Sequence, residues 1–220
     1  MFILDFSYPR AVLTAMKDGE RFGQSQGILV LDHHHTAKAA LAGLDFCEFS
    51  DDKSGGRMAW EWWFGTQDKA PWLVDYTEDR DLWLHRLEDS QAVNAALRSY
   101  PLDFDLWDQF AMQHPTDFTR EGEAIRRREL QIVQDHIRHA REIEMDGHRI
   151  RAVNATVLFS EIASELAKGR PFGACYFDRY DGKRQWSLRS DERGVDVATI
   201  AKARGGGGHV HASGFEEPVH

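Results

Sequence analysis

The chain has 220 residues, of which 42% are hydrophobic and 29% are charged, and its formal net charge is −9. This length allows one large domain or two small ones, and the composition is typical of a globular protein that buries a core. The acidic balance argues against broad binding to duplex DNA, which needs a basic surface to replace the counterions of the phosphates. A small phosphorylated substrate in a local basic cleft is still allowed.

Cellular location is indicated by several simple features. The sequence has no run of about 18 apolar residues, so no membrane-spanning helix is expected. It also lacks the basic segment, apolar segment and cleavage site of a signal peptide. The two cysteines, Cys47 and Cys175, lie far apart and outside any metal-binding spacing, which favours reduced thiols. Together these features predict a cytoplasmic protein without a membrane partner.

The N-terminal region has the pattern of a β–α–β unit. Phe2–Leu4 is a short apolar run that ends at Asp5, and apolar side chains then recur at helical spacing over residues 11–16. A second apolar run, residues 27–31, ends at Asp32. Open α/β sheets bind ligands at the carboxyl ends of their parallel strands. We therefore expect both aspartates to face one crevice.

Asp32 is followed directly by His33 and His34. A solvated loop explains this sequence poorly, because a cluster of metal-ligating side chains at a strand end has little structural use. Carboxylates held close together repel unless a proton or a cation lies between them. Oxygen and imidazole ligands without cysteine favour Mn²⁺, Mg²⁺, Fe²⁺ or Zn²⁺. The sequence therefore predicts a divalent metal site formed by this cluster and Asp5.

The middle of the chain is mainly helical in pattern. Helices are predicted over residues 36–44 and from Ser54 onwards, with a short strand over residues 46–49 between them. The second helix carries an aromatic stripe, which we interpret as core rather than as a platform for stacking bases: Trp60, Trp62, Trp63 and Phe64. Residues 71–83 hold an acidic cluster: Asp75, Glu78, Asp79 and Asp81. A solvated surface is the simpler interpretation of this cluster, and a further metal ligand is the alternative.

The C-terminal part of the chain differs in character. A long amphipathic pattern predicts one continuous helix over residues 119–145, which we interpret as a connector between two domains. Strands and a helix follow after Gly147, with a hairpin turn at Asp181-Gly182. Gly205–Gly208 then precedes His209 close to the chain end. We interpret this run as a phosphate cradle rather than a linker, because glycines let several backbone N–H groups converge on an anion.

Together these motifs resemble the DHH phosphoesterase family with its DHH-associated C-terminal domain, which includes RecJ-like and oligoribonuclease-like proteins. Asp32-His33-His34 is similar to the motif that names the family, and the stretch from Gly206 to Gly214 is similar to the signature of the second domain. Asp5 matches the second acidic motif. Asp79 is the best match to the fourth motif, with Asp81 as the second choice.

The resemblance implies an α/β fold: a parallel-sheet N-terminal domain over residues 1–116, a connecting helix over residues 117–145, and a smaller α/β C-terminal domain over residues 146–220. It implies an Mn²⁺-dependent phosphoesterase, with Mg²⁺ or another divalent cation as alternatives. The implied substrates are short oligonucleotides, dinucleotides or nucleoside phosphates, and a homodimer is also compatible with the family.

Residue roles follow from the same resemblance. Asp5, His33 and Asp79 are the implied metal ligands. Asp32 and His34 are the implied catalytic residues, with His34 contacting the phosphate or steadying the attacking water. Substrate binding is implied for residues of the second domain: Arg189, Gly206, Gly207, Gly208 and His209.

The chain departs from the family pattern at its start. Members of the family begin with a strand and a first motif that supplies a histidine and two aspartates to a two-metal site, whereas this sequence starts at the strand that bears Asp5. We therefore expect an N-terminally incomplete domain that binds at most one metal. The alternative function is a catalytically impaired protein that keeps the fold as a nucleotide-binding or interaction module.

Overall fold

A computed structural model describes residues 1–19 and 27–219. The chain divides into two compact units, Met1–Arg128 and Glu129–His220, here called the first and second units. Their boundary lies inside the long helix Thr119–Arg138. None of the helices within the described ranges has both the length and the apolar character that crossing a bilayer requires.

The first unit is built on a three-stranded parallel sheet. Its strands are β1 (Phe2–Leu4), β2 (Leu29–Asp32) and β3 (Cys47–Phe49), in that order across the sheet. The parallel pairing of β1 with β2, predicted from the two apolar runs, is confirmed. The strands and two helices share one apolar core: Ile3, Leu13, Met16, Ile28, Val30, Leu41 and Phe46. This arrangement brings Asp5 and Asp32 to the same edge of the sheet.

Helices make up most of the rest of the first unit: α1 (Arg10–Asp18), α2 (His35–Leu41), α3 (Gly55–Phe64), α4 (Trp72–Asp81), α5 (Ser90–Leu97), α6 (Phe104–Ala111), a 3-10 helix (Pro115–Phe118) and the start of α7 (Thr119–Arg138). Helix α3 begins where predicted, because the Ser54 hydroxyl accepts a hydrogen bond from the Arg57 N–H at 3.1 Å. A second core joins α4, α5 and α6: Tyr76, Val93, Ala96, Leu97, Phe110 and Phe118.

The aromatic stripe of α3 is more exposed than predicted. Trp62 and Trp63 are each 49% exposed and Phe64 is 56% exposed. Successive residues of an α-helix are about 100° apart around its axis, so three consecutive aromatic side chains cannot all face one core. The prediction of a buried stripe was wrong for these three residues.

The second unit contains a six-stranded mixed sheet in the order β4-β5-β6-β7-β9-β8. Its strands are β4 (Arg141–Met145), β5 (His148–Asn154), β6 (Gly173–Asp178), β7 (Lys183–Arg189), β8 (Gly207–His209) and β9 (Ala212–Pro218). Helix α9 (Val197–Lys202) packs with one set of strand residues, including Ala152 and Leu188. Helix α8 (Phe159–Ala167) and Val133 of α7 pack with the alternate set, including Val153 and Cys175. The two faces of the sheet are therefore covered by different helices.

The long helix is shorter than predicted. It ends at Arg138, and residues 141–145 form strand β4 instead of a last helical turn. Strand β4 pairs with β5 through a tight turn at Asp146 and Gly147, whose φ angles are 55° and 76°. Asp-Gly favours such a two-residue hairpin turn, because both central residues need positive φ. The hairpin turn predicted at Asp181-Gly182 is confirmed between β6 and β7, where Gly182 has a φ angle of 78°.

Candidate metal centre

Three side chains of the first unit meet at the carboxyl edge of the parallel sheet. Asp5 follows β1, His33 follows β2, and Asp81 is the last residue of α4. The His33 Nε2 atom lies 3.3 Å from Asp5 Oδ1 and 3.3 Å from Asp81 Oδ2. These three donor atoms all lie within 4.8 Å of one another. We call this set the Asp5–His33–Asp81 group.

Electrostatics within the group favour a positive charge at its centre. The hydrogen bond with Asp5 raises the pKa of the buried His33 imidazole, burial opposes this, and the charge of Asp81 adds to the increase. Burial raises the pKa of Asp81, and this effect is partly offset by the charge of His33. A proton on His33 therefore balances the two carboxylates, and a divalent cation would serve the same purpose.

Asp5 is held in place by backbone geometry. Its φ angle is 64°, in the left-handed region that L-residues seldom adopt, although aspartate tolerates it better than most. Its N–H donates to the Leu31 carbonyl at 2.8 Å. Gly55, at the start of α3, lies so close that a Cβ atom there would be 2.4 Å from Asp5 Oδ1. Glycine at this position therefore leaves room for the Asp5 carboxylate.

Asp32 organises the loop after β2. It is fully buried, and its Oδ1 accepts hydrogen bonds from the His33 N–H at 2.8 Å and the His34 N–H at 3.2 Å. The same oxygen lies 2.7 Å from His34 Nδ1. Burial by itself would raise the pKa of Asp32, but the hydrogen bonds and charge of His34, with a contribution from Ser7, outweigh it and hold the pKa below its usual value. Within the described ranges no hydrogen bond of normal geometry reaches Oδ2.

The structure brings Asp81 to His33 and turns Asp79 elsewhere. The buried Asp79 carboxylate accepts hydrogen bonds from the Arg86 N–H at 2.8 Å and the Leu87 N–H at 3.5 Å. It thus anchors the loop that follows α4. Residues two positions apart on a helix project about 200° apart, so Asp79 and Asp81 face different surroundings. The second choice from the sequence, rather than the first, lies in the group.

A cavity of about 350 Å³ adjoins the group, with Asp5 and Asp81 in its wall. All of its lining residues belong to the first unit, and they lie on β1, α3, α4, α5 and α6 or directly next to the ends of these elements. This cavity was not predicted from the sequence. Its polar lining residues are scattered along the chain, so no local motif signals it.

The residues predicted to bind substrate lie in the second unit. Arg189 of β7 donates hydrogen bonds to Ser160 Oγ at 2.7 Å and to the Leu188 carbonyl at 2.8 Å. Burial lowers the pKa of its guanidinium. Arg189 is opposite Ala212 of β9, which is opposite His209 of β8. Residues directly opposite one another across a sheet share a face, so Arg189 and His209 lie in one row.

Two glycines of the predicted cradle have a packing role. A Cβ atom at Gly206 would lie 2.0 Å from the Gly214 carbonyl oxygen, and one at Gly208 would lie 2.5 Å from the Ala212 carbonyl oxygen. These glycines therefore let the chain approach β9 closely, and Gly207–His209 forms edge strand β8. Anion binding by this strand stays a prediction.

Comparison with known proteins gives limited similarity. No protein-family model matches the chain. The chain is 30% identical over 227 aligned positions to the uncharacterised protein R106 of Acanthamoeba polyphaga mimivirus, covering 98% of this chain and 52% of that protein. It thus spans about half the length of the curated relative that it matches.

Three similar solved structures have TM-scores below one half. An uncharacterised protein from Helicobacter pylori G27 has a TM-score of 0.42 and 14% identity, with coverage of 98% of this chain and 76% of that one. The pGpG-specific phosphodiesterase PggH from Vibrio cholerae has a TM-score of 0.45 and 15% identity, with coverage of 98% of this chain and 84% of that one. An exopolyphosphatase-related protein from Bacteroides fragilis has a TM-score of 0.43 and 14% identity, with coverage of 98% of this chain and 65% of that one. Function is therefore inferred from the side chains of the site and not from these neighbours.

Proposed function

We propose that this chain is a metal-dependent phosphoesterase. Its proposed substrates are short oligonucleotides, dinucleotides or nucleoside phosphates, cleaved at a phosphodiester or phosphomonoester bond. The Asp5–His33–Asp81 group is the observation that carries this proposal, because a buried imidazole lies between two carboxylates from separate elements. The resemblance of Asp32-His33-His34 to the DHH motif supports the choice of reaction.

The donor set fits a divalent cation. Two carboxylate oxygens and one imidazole nitrogen suit Mn²⁺, Mg²⁺ or a related ion, and the absence of sulfur among them disfavours soft metals. Three protein ligands leave coordination positions for water or substrate. We propose Mn²⁺ as the cofactor, with one ion held by Asp5, His33 and Asp81.

Each side chain then has a defined task. A bound divalent ion would lower the pKa of a water molecule and polarise a phosphoryl oxygen. Asp32 stays ionised because its pKa is lowered, and its Oδ1 accepts a hydrogen bond from the Nδ1–H group of His34. This fixes the tautomer of His34, so that Nε2 is the nitrogen that exchanges a proton with the attacking water or contacts the phosphate.

Two neighbouring aspartates of α4 provide a matched test. The Asp81→Asn variant is expected to bind Mn²⁺ at least about tenfold more weakly than the wild type, since even residues behind the ligands contribute 10- to 100-fold. It should also lose Mn²⁺-dependent hydrolysis of linear dinucleotides and bis(p-nitrophenyl) phosphate. Calorimetric titration with Mn²⁺ and a product assay measure the two effects.

Asp79→Asn is the control for this experiment. Its carboxylate contacts backbone N–H groups of the loop after α4, so the variant should lose thermal stability while it keeps Mn²⁺ affinity. The opposite result, with Asp79→Asn losing the metal and Asp81→Asn keeping it, would restore the ligand assignment made from the sequence. Two tight Mn²⁺ sites per chain would contradict the single-ion proposal.

A second candidate function has its own supporting observation. Within the described part of the first unit, Asp5, His33 and Asp81 form one group of three ligand atoms, whereas the family resemblance implies a two-metal site. The chain would then be a nucleotide-binding or interaction module with incomplete metal ligation. Mn²⁺ binding without any turnover of the two substrates named above would favour this function.

Mn²⁺ affinity is expected to fall as the pH falls. His33 must lose its proton before Nε2 can bind a cation, and the hydrogen bond with Asp5 raises the pKa of His33 above its ordinary value of 6.5. Below the raised pKa, affinity should decrease about tenfold per pH unit, because one proton competes with one cation. Above this pKa it should level off. Calorimetry in buffers of different ionisation enthalpy would detect the released proton, and affinity independent of pH would contradict this role of His33.

A further inference from the structure

The cavity beside the Asp5–His33–Asp81 group has walls of two kinds. One kind is apolar and includes an aromatic ring: Leu4, Ala59, Leu97 and Trp107. The other kind is polar and carries two guanidinium groups: Thr77, Arg80, Asn94 and Arg98. A flat apolar surface combined with cationic planar groups is suited to a ring system that also forms hydrogen bonds.

Asn94 offers the cavity a fixed hydrogen-bond acceptor. Its side chain is nearly fully buried, and Nδ2 donates to the carbonyls of Tyr76 and Ser90, each at 2.9 Å. These two acceptors determine the orientation of the amide. Asn94 lines the cavity, and with Nδ2 engaged in these bonds, Oδ1 is the amide atom that can accept a hydrogen bond from a ligand.

Trp107 is held in a similar way. Its indole Nε1 donates to the Pro101 carbonyl at 2.9 Å, and its ring packs near Phe110 with a centroid distance of 6.3 Å. The ring therefore contributes an apolar surface that is already fixed before any ligand binds. A fixed aromatic surface reduces the entropy lost when a ligand stacks on it.

We propose that this cavity binds the nucleobase of a nucleotide whose phosphate lies at the Asp5–His33–Asp81 group. The inference rests on the proposed function and specifies its substrate class. A volume of about 350 Å³ accommodates a base with its ribose. An N–H group of the nucleobase would donate a hydrogen bond to Asn94 Oδ1, and the ring of the base would stack on the Trp107 indole. A polyphosphate chain has neither a ring nor donors for these walls, so the cavity favours nucleotides over polyphosphate.

The test compares ligands with and without a base. In the presence of Mn²⁺, the full chain is titrated with AMP, GMP, CMP and UMP, and separately with inorganic phosphate and tripolyphosphate. At least one nucleotide should bind about tenfold or more tightly than inorganic phosphate, the gain expected from one stacked base. The Trp107→Ala variant should lose most of this gain and keep its Mn²⁺ affinity. Trp62→Ala is the matched control, since Trp62 is half exposed on α3 and is not part of the cavity wall.

Two further measurements apply if the Trp107→Ala variant does not fold or if the protein does not bind Mn²⁺. If Trp107→Ala does not fold, Arg98→Gln replaces it, with an expected loss of nucleotide affinity of about fivefold or more. Metal-free protein is also titrated with the four nucleosides, which report on the cavity without the phosphate. Nucleoside binding that depends on Trp107 supports the inference even if Mn²⁺ does not bind and the proposed function is wrong. Nucleotides that bind no tighter than inorganic phosphate, or a tighter Trp107-dependent binding of tripolyphosphate, would overturn the inference.

Discussion

The Gly55→Ala variant is expected to bind Mn²⁺ about 10- to 100-fold more weakly than the wild type, the range found when residues that position a ligand are replaced. A Cβ atom at residue 55 would lie 2.4 Å from Asp5 Oδ1 and 2.7 Å from Asp5 Cα. Contacts this short with both side chain and backbone force Asp5 to move. The carboxylate would then leave its position beside His33.

Gly56→Ala is the matched control, because a Cβ atom there has only the Ser54 hydroxyl near it, at 3.8 Å. This variant should keep Mn²⁺ affinity, and alanine in place of glycine should favour the helix. Asp5→Asn removes the negative charge without adding an atom at residue 55, and it should reduce affinity similarly. Calorimetric titration with Mn²⁺ measures all three variants. Unchanged affinity in both Gly55→Ala and Asp5→Asn would show that Asp5 is not a ligand.

The Asp32→Ala variant is expected to lower the free energy of unfolding of the first unit by about 3 kcal/mol, because two backbone N–H groups lose a charged acceptor. Those groups belong to His33 and His34, and the N–H of His33 is buried. Asp32→Asn keeps an oxygen for them and should cost less, about 1 kcal/mol. Urea unfolding followed by circular dichroism measures both variants.

Asp51→Ala is a suitable reference for the Asp32 variants. Asp51 forms an ion pair with Lys38 at the surface of the same unit, and exposed pairs contribute little to stability. Its replacement should therefore change the unfolding free energy by less than about 1 kcal/mol. If Asp32→Ala were no more destabilising than Asp51→Ala, Asp32 would not hold the loop after β2.

Local sequence patterns determined the framework of the site. Apolar runs ending at Asp5 and Asp32 predicted two strands with their carboxyl ends together, and the structure pairs these strands in parallel. This prediction succeeded because strand formation and strand ends depend on residues that are close in sequence. Ser54 likewise predicted the start of α3, since its hydroxyl needs only the N–H of Arg57 nearby in the chain.

The strand β4 shows where a local pattern was ambiguous. Ile137, Ala140 and Ile143 continue a helical spacing, while Ile143 and Met145 also fit the alternation of a strand. Asp146-Gly147 resolves the ambiguity in favour of a hairpin, because its turn aligns β4 with β5. Strand β5 follows this turn directly, and its pairing with residues 141–145 outweighed the tendency of those residues to continue the helix.

Only the tertiary structure decided which aspartate of α4 reaches His33. The helix has acidic and apolar residues around its whole circumference, so its sequence does not define an inward face. Its rotation is set by packing with α5 and α6, which buries Tyr76 and, one turn later, Asp79. Asp81 is thereby directed to His33. The sequence alone supplied two strand ends that carry Asp5 and His33. The third side chain of the group, the close approach of Gly55 to Asp5 and the adjoining cavity depend on contacts between distant segments, which no local pattern encodes.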